Sequence, residues 1–468
     1  MHFYGGNSER WLRVFTSIGC QYLDSCMHGA VVPLLTEVQW QHQSSNATIG
    51  EISKGTASFA LAATFMSTGI VEVLFSPIAG LVADRWGLDI VLLFGLLCST
   101  FKCLLYGLTP LTPLILLTNR CLQGVVSACT QTMAMARIRD IYDEASLECT
   151  IVTGVAMCKL SFNLFAALFV GELFRYLNNR VFLLFLSIEL ILIVGVLLTF
   201  RTENFHKKEE TRSDQGADDA TSQVDQKKHR SVRWRVIFDV QVLIVALSFL
   251  VSALGYTALE PTLAVWVDYM FGDGTVSTAH MLGLCGFSVL LSTACCVYVL
   301  GTLSNNLTWI FCFVSLCTAG LPLVLVKFSP SLTVASIFLA VFFFGSQAAR
   351  VILITMCSTI AVKRHPEAYS LVFSIVNLGW GGASLFGPLV APFLFGSSCT
   401  VCMIGVAYIL TALLALLLRN LDSKDGINFM DCYCAKAIDD DGYQLVVTNE
   451  DIPFTFEQRQ VMIQTTNK

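Results

Sequence analysis

Apolar runs of about twenty or more residues, long enough to cross a bilayer as a helix, recur twelve times along the chain. They lie near 12–36, 56–82, 88–108, 112–138, 147–173, 180–200, 236–267, 277–302, 306–327, 331–361, 368–394 and 397–419. One intervening polar stretch is long. From Arg201 to Arg235 it is rich in Lys, Glu, Asp, Gln and Ser, too polar to bury a core of its own, and reads as a disordered linker. The expected domains are an N-terminal six-helix half over 1–200, the linker over 201–235, a C-terminal six-helix half over 236–419 and an acidic tail over 420–468. The fold class is an all-α membrane protein with twelve transmembrane helices in two six-helix halves, and the lipid bilayer is its first partner.

Composition agrees, with charged residues at 13% and hydrophobic residues at 55%, far from the balance of a soluble domain. The net charge of -5 is spread over loops and tails, and no basic surface points to nucleic acid. The 18 Cys fall mostly in apolar segments, where they act as small hydrophobes without metal-ligand spacing. With no catalytic constellation, phosphate loop or metal cluster, neither an enzyme nor a cofactor is expected. The first apolar run is too long for a signal peptide and lacks a small-residue cleavage site, so it is read as a retained helix.

Basic residues concentrate in the linker and at Lys363-Arg364-His365. The positive-inside rule makes both cytosolic, and with twelve spans both termini as well. Asn46-Ala47-Thr48 then lies in the first opposite-face loop, where Asn46 is a glycosylation acceptor. In the tail, Asp439-Asp440-Asp441 precede Tyr443-Gln444-Leu445-Val446. The Tyr443 to Val446 spacing is that of a sorting signal for adaptor proteins.

Charges inside the apolar runs carry the candidate chemistry. An ion at the bilayer centre costs about 2.5 to 3.5 kcal/mol on insertion scales, so it faces a cavity or a partner. Asp24 lies mid-segment in Leu23-Asp24-Ser25-Cys26-Met27-His28 and is a candidate for binding substrate, a proton or both. His28 lies four residues on, on the same helix face, with an ordinary pKa near neutrality. It either carries a proton or is a neutral residue bonded to a neighbouring helix. Glu72, Lys102 and Glu189 read as structural charges, Glu72 pairing with Lys102 on the adjacent helix.

Two six-helix halves joined by a basic linker resemble the major facilitator superfamily, and local motifs narrow the likeness. Gly80-Leu81-Val82-Ala83-Asp84-Arg85-Trp86-Gly87 resembles that superfamily's loop motif, which implies a gating role for Gly80, Asp84, Arg85 and Gly87. The usual basic residue after the second glycine is missing. Arg120-Cys121-Leu122-Gln123-Gly124 resembles the Arg-x-x-Gln-Gly motif of drug:proton antiporters, which implies that Arg120 tunes the proton affinity of a nearby carboxylate. Leu23-Asp24 through Val31-Val32-Pro33, Asp143-Glu144, Ala258-Leu259-Glu260-Pro261-Thr262-Leu263 with Trp266, and Tyr369 through Gly387-Pro388 are similar to the vesicular amine transporters. That resemblance implies a small organic cation bound by Asp24 and Glu260, with Asn377 within reach of substrate. Trp266 is either an aromatic wall for the cation or a packing residue. Protons are the exchanged partner and a secretory or synaptic-type vesicle the location.

Departures from the family pattern are as informative. Asn377 stands where the family has a carboxylate in helix eleven, leaving Asp24 and His28 as the proton carriers. Helix five, along Lys159 to Leu168, has neither Gly nor Pro, so the bend of the antiporters is expected to be absent. Lys159 is expected to neutralise Asp24 or Glu260, and Arg350 stands where relatives have an acid. Thr68 and Tyr408 replace a family charge pair, and no cysteines stand ready for the luminal disulfide of the monoamine members. The expected function is alternating-access exchange of a small organic cation for protons. An uncoupled or different-solute transporter of the same fold, and a transport-dead receptor or scaffold, remain open readings.

Overall fold

The computed structural model describes residues 7–45, 52–110, 112–142, 147–213, 236–260, 263, 266–267, 271, 275–302, 307–365, 368–396 and 399–420. Asn46, Pro261, the linker from 214 to 235, Tyr443 and Val446 lie outside them. Among the described residues the regular structure is helical. The helices are α1 (Asn7–Ser45), α2 (Ile52–Trp86), α3 (Leu88–Leu108), α4 (Pro113–Ile141), α5 (Leu147–Met157), α6 (Lys159–Leu177), α7 (Val181–Ser213), α8 (Val240–Leu259), α9 (Thr275–Thr302), α10 (Thr308–Leu325), α11 (Leu332–Arg364), α12 (Tyr369–Gly396) and α13 (Cys399–Ala415). Helices α5 and α6 are one interrupted span, which makes twelve spans in two groups of six.

Ten of these spans are long and apolar enough to cross a membrane on composition alone. The two that miss, α1 and α4, carry Asp24 and a row of polar residues from Asn119 to Arg139. Their neighbours supply the apolar exterior: Ile191, Val194 and Leu198 on α7 and Phe94 and Phe101 on α3 stand exposed, as side chains facing lipid do.

Local chemistry fixes several boundaries. Thr112 caps α4, its side chain accepting from the Ile115 amide at 3.4 Å, with Pro113 in the first turn. Ser331 caps α11 in the same way through the Val334 amide. Gly87 joins α2 to α3 at φ 102°, a left-handed conformation that a side chain would strain. Helix α7 runs on to Ser213, beyond the boundary at 200 and into the stretch expected as linker. Helix α8 ends at Leu259 with Glu260 as its C-cap, and residues 263, 266 and 267 beyond it are helical.

The fifth span is interrupted at Cys158, where neither glycine nor proline stands, while the Lys159 to Leu168 stretch runs unbroken within α6. Around the break the bonding tightens to the i,i+3 type, with Cys158 N to Val155 O at 3.0 Å and Ser161 N to Cys158 O at 2.9 Å. Remote side chains brace the break: the Tyr22 hydroxyl of α1 donates to Val155 O, which Cys158 N also reaches, and Gln347 Nε2 of α11 donates to Met157 O at 2.7 Å. A helix interrupted at depth is tolerated where such partners exist.

The halves meet most closely along α2 and α12. A Cβ built on Gly80 would sit 2.2 Å from Ser374 Oγ and 2.8 Å from Ser374 Cβ, and one on Gly69 2.4 Å from the Leu385 amide nitrogen. Gly80→Ala therefore forces α12 away, an overpacking cost of about 1 to 3 kcal/mol. Its thermal unfolding temperature is expected to fall, and Ser374→Gly in the same chain to restore most of the loss.

At the same end of the bundle, Asp239 caps α8 through the Gln241 amide at 2.9 Å and accepts from His365 Nε2 at 3.0 Å and Arg364 Nη1 at 3.4 Å. Burial works to raise the Asp239 carboxyl, but the His365 bond, the Gln241 amide and the Arg364 charge outweigh it and hold it below the usual carboxylate range. A depressed acid contributes stability that is complete above its unfolded pKa, near 4, and is lost as pH falls through the folded value. Thermal unfolding followed from pH 6 to pH 3 is expected to show this acid-side loss, and Asp239→Asn to flatten it.

Candidate functional site

Helix α4 presents Gln123, Ser127 and Gln131 at four-residue spacing, so all three fall on one face, and that face meets Asp24 on α1. Asp24 Oδ1 accepts from Gln123 Nε2 at 2.5 Å, and Oδ2 accepts from Ser127 Oγ and Gln131 Nε2, each at 2.9 Å. The carboxylate is buried, 2% exposed, and among the described residues no cation lies within ion-pair distance of it. Each glutamine is backed by a lysine: Lys102 of α3 donates to Gln123 Oε1, and Lys159 of α6 donates to Gln131 Oε1 at 2.5 Å. The result is a relay, Lys102–Gln123–Asp24–Gln131–Lys159, in which two positive charges bear on Asp24 at one remove. Lys159, expected to neutralise Asp24 or Glu260, thus reaches Asp24 through Gln131.

His28 turns away from Asp24, its Nε2 lying 3.3 Å from Glu260 Oε2 and joining α1 to the end of α8 in the other half. Arg120 does not touch Asp24 either. Its guanidinium lies over the Phe65 ring, 4.3 Å from the centroid, and its Nε, Nη1 and Nη2 have no hydrogen-bond partner among the described residues. The same holds for Tyr256 Oη and Glu260 Oε1, and Arg120 interacts electrostatically with both Glu260 and Tyr256. Buried polar atoms are nearly always paired, so donors and acceptors left open between the halves mark the place where a polar solute or water belongs.

Deeper in, a small cavity is lined by Ser25, Lys159, Asn163, Gln347, Arg350 and Trp380, among others. Trp380 and Phe249 are its aromatic lining, and Trp380 stacks on Tyr256, centroids 6.1 Å apart at 24°. Trp266 is elsewhere, edge-on to Phe271 at 5.8 Å. Neither Trp380 nor Gln131 was singled out in the sequence. The spacing of Gln123, Ser127 and Gln131 was the available signal for the second, and the three glycines around Trp380 at 379, 381 and 382 were a weak one for the first.

Asn377 lies at the α2 contact, its Nδ2 donating to Glu72 Oε1 at 3.1 Å and Ser76 Oγ at 3.2 Å. This corrects the expected pairing of Glu72 with Lys102, because Lys102 is drawn to Gln123. Glu189 accepts from Ser99. Thr68 and Tyr408 enter separate networks, Thr68 Oγ1 donating to Arg120 O at 3.0 Å and the Tyr408 hydroxyl to Ser252 O at 2.7 Å. Of the loop motif, Gly80 forms the close α2–α12 contact and Gly87 the turn; Asp84 is half-buried and Arg85 exposed.

Comparison with known proteins follows the same lines. The family model for the Major Facilitator Superfamily matches residues 14–369. The vesicular acetylcholine transporter unc-17 of Caenorhabditis elegans is 23% identical over 367 residues, covering 77% of this chain and 66% of that protein. The vesicular acetylcholine transporter of Homo sapiens is 26% identical over 365 residues, covering 76% of this chain and 65% of that one. The chain thus spans about two thirds of the length of these relatives. Among solved structures, the human organic anion transporter MFSD10 (TETRAN) superposes with a TM-score of 0.64 at 14% identity, over 87% of this chain and 99% of that one.

Proposed function

The chain belongs to the major facilitator superfamily, and from that premise we propose that it moves a small organic amine across a vesicle membrane in exchange for protons, by alternating access. The observation that carries this reading is the setting of Asp24, a buried carboxylate held by three neutral donors with no cation in contact. A protonated amine is the charged partner that such a group lacks. The vesicular transporters among the relatives support the location, and the open atoms of Arg120, Tyr256 and Glu260 support a solute path between the halves.

In this mechanism the two halves rock about a midplane site, as in other transporters of paired repeats. Asp24 and Glu260 bind the amine from the cytosolic side. Protons from the acidic lumen neutralise Asp24 or charge His28, which strengthens its hold on Glu260 and weakens the site's grip on a cation. Arg120 biases these proton affinities by its charge. Gly80, Asp84, Arg85 and Gly87 govern closure of the cytosolic face, where both termini also lie. Glycosylation at Asn46 and adaptor binding at Tyr443 and Val446 complete the proposal for vesicle targeting.

Purified protein in proteoliposomes with an acidic interior tests it. A transported amine is expected to accumulate about tenfold per pH unit for each proton exchanged, and to fall to equilibration when an ionophore collapses the gradient. Accumulation indifferent to the gradient would replace exchange with uncoupled transport. No flux of any amine would remove the transport reading.

A further inference from the structure

Arg350 of α11 is 2% exposed, yet among the described residues no carboxylate lies within ion-pair distance of it. Its bonds are long ones to Ser346, Nε to the carbonyl at 3.3 Å and Nη2 to Oγ at 3.4 Å. The groups that bear on it electrostatically are the Tyr408 and Tyr256 hydroxyls and the Lys159 ammonium. Lys159 faces Arg350 from the other half, and both cations lie 5.7 Å from the centroid of the Trp380 ring. Asp24 and Glu72 are the acids that bear on Lys159, neither of them in contact with it. Two cations thus stand beside one aromatic ring in one cavity, and a buried charge without its counter-ion is costly.

We propose that Arg350, with Lys159 and the face of Trp380, binds a carboxylate, so that the transported solute is amphoteric, carrying both an amine and a carboxylate. The idea rests on the amine reading above and extends it. A guanidinium offers a planar fork of donors that matches a carboxylate. Lys159 lines this cavity and is joined to Asp24 through Gln131, so an amine held at Asp24 and an acid held at Arg350 would be the two ends of one small molecule. Gln347 Oε1, buried and without a partner among the described residues, is an acceptor along the same wall.

The test uses the full-length protein, purified in nanodiscs. Ligand-induced shifts in its unfolding temperature would be titrated with matched sets of compounds. Each set comprises an amino acid, its methyl ester, the deaminated acid and the decarboxylated amine, with sodium chloride as the ionic control. At least one amino acid is expected to bind at least about tenfold tighter than its ester, a preference that Arg350→Gln abolishes and Arg350→Lys partly keeps. Folding of each variant is checked by its own unfolding transition and by retained binding of the ester. Equal binding of acid and ester would overturn the carboxylate site and leave the amine reading standing. Equal binding of amino acid and deaminated acid would overturn the amine reading, and with it the amphoteric solute, and leave the carboxylate site standing. Saturation of the Arg350-dependent shift by chloride would make this an inorganic anion site and overturn the proposal, as would a panel in which nothing binds.

Discussion

Replacing Asp24 with asparagine is expected to abolish amine uptake in proteoliposomes while the protein still folds and purifies as a single species. The side chain keeps its shape, and one amide oxygen still accepts from α4. What is lost is the charge, and removing one member of a buried charged pair costs about 2 to 5 kcal/mol or more, enough to reduce binding from about thirtyfold to several thousandfold. The asparagine Nδ2 would also face the Ser127 hydroxyl or the Gln131 amide in place of an acceptor, so Gln131 must turn and loosen Lys159. Uptake should therefore vanish with an imposed pH gradient and without one. Uptake at the wild-type rate would show that the charge of Asp24 has no part in transport.

The largest effect on stability is expected at Arg137. Its Nε lies 2.9 Å from Asp89 Oδ1, Nη1 donates to Thr16 Oγ1 at 3.0 Å and Nη2 to Thr199 Oγ1 at 2.5 Å. A guanidinium on α4 thereby holds α1, α3 and α7 together, with Arg137 only 2% and Asp89 only 6% exposed. Truncating one partner of a buried pair leaves the other uncompensated, at about 3 to 5 kcal/mol, whereas replacing both with apolar groups is often close to neutral. Arg137→Ala is expected to yield little monodisperse protein. Arg137→Met with Asp89→Leu should recover much of the loss, measured by thermal unfolding in detergent. Equal damage from the single and double variants would mean that the pair itself is not what the four helices depend on.

Much of this architecture was legible in the sequence because lipid imposes a simple length rule, and the apolar runs announce themselves. The site was harder to read for the same reason. Asp24 stood out as an anion in an apolar run, but its partners are uncharged and sit among other polar residues of α4, where Gln123, Ser127 and Gln131 resemble ordinary helix composition. Ion-pair reasoning matched Glu72 to Lys102 by sign, while the folded chain satisfied them separately, with the Asn377 and Gln123 amides. An amide can serve as donor or acceptor, and hydropathy does not reveal which. The break at Cys158 was hidden because backbone breaks are recognised by glycine and proline, and this one depends on side chains far away in the chain. Trp380 was passed over in favour of Trp266, since one sequence does not say which face of a buried helix meets a cavity.

The break in the fifth span has a mechanical consequence. A joint made by glycine or proline is soft, and its motion meets little resistance over a range of angles. Here the free Met157 carbonyl is held by Gln347, which belongs to the opposite half. Any rocking that separates α5 from α11 must therefore release that bond and find the carbonyl another donor. The joint then behaves as a detent, with discrete resting positions set by hydrogen-bond exchange, and a change at Gln347 would alter how abruptly the molecule passes between them.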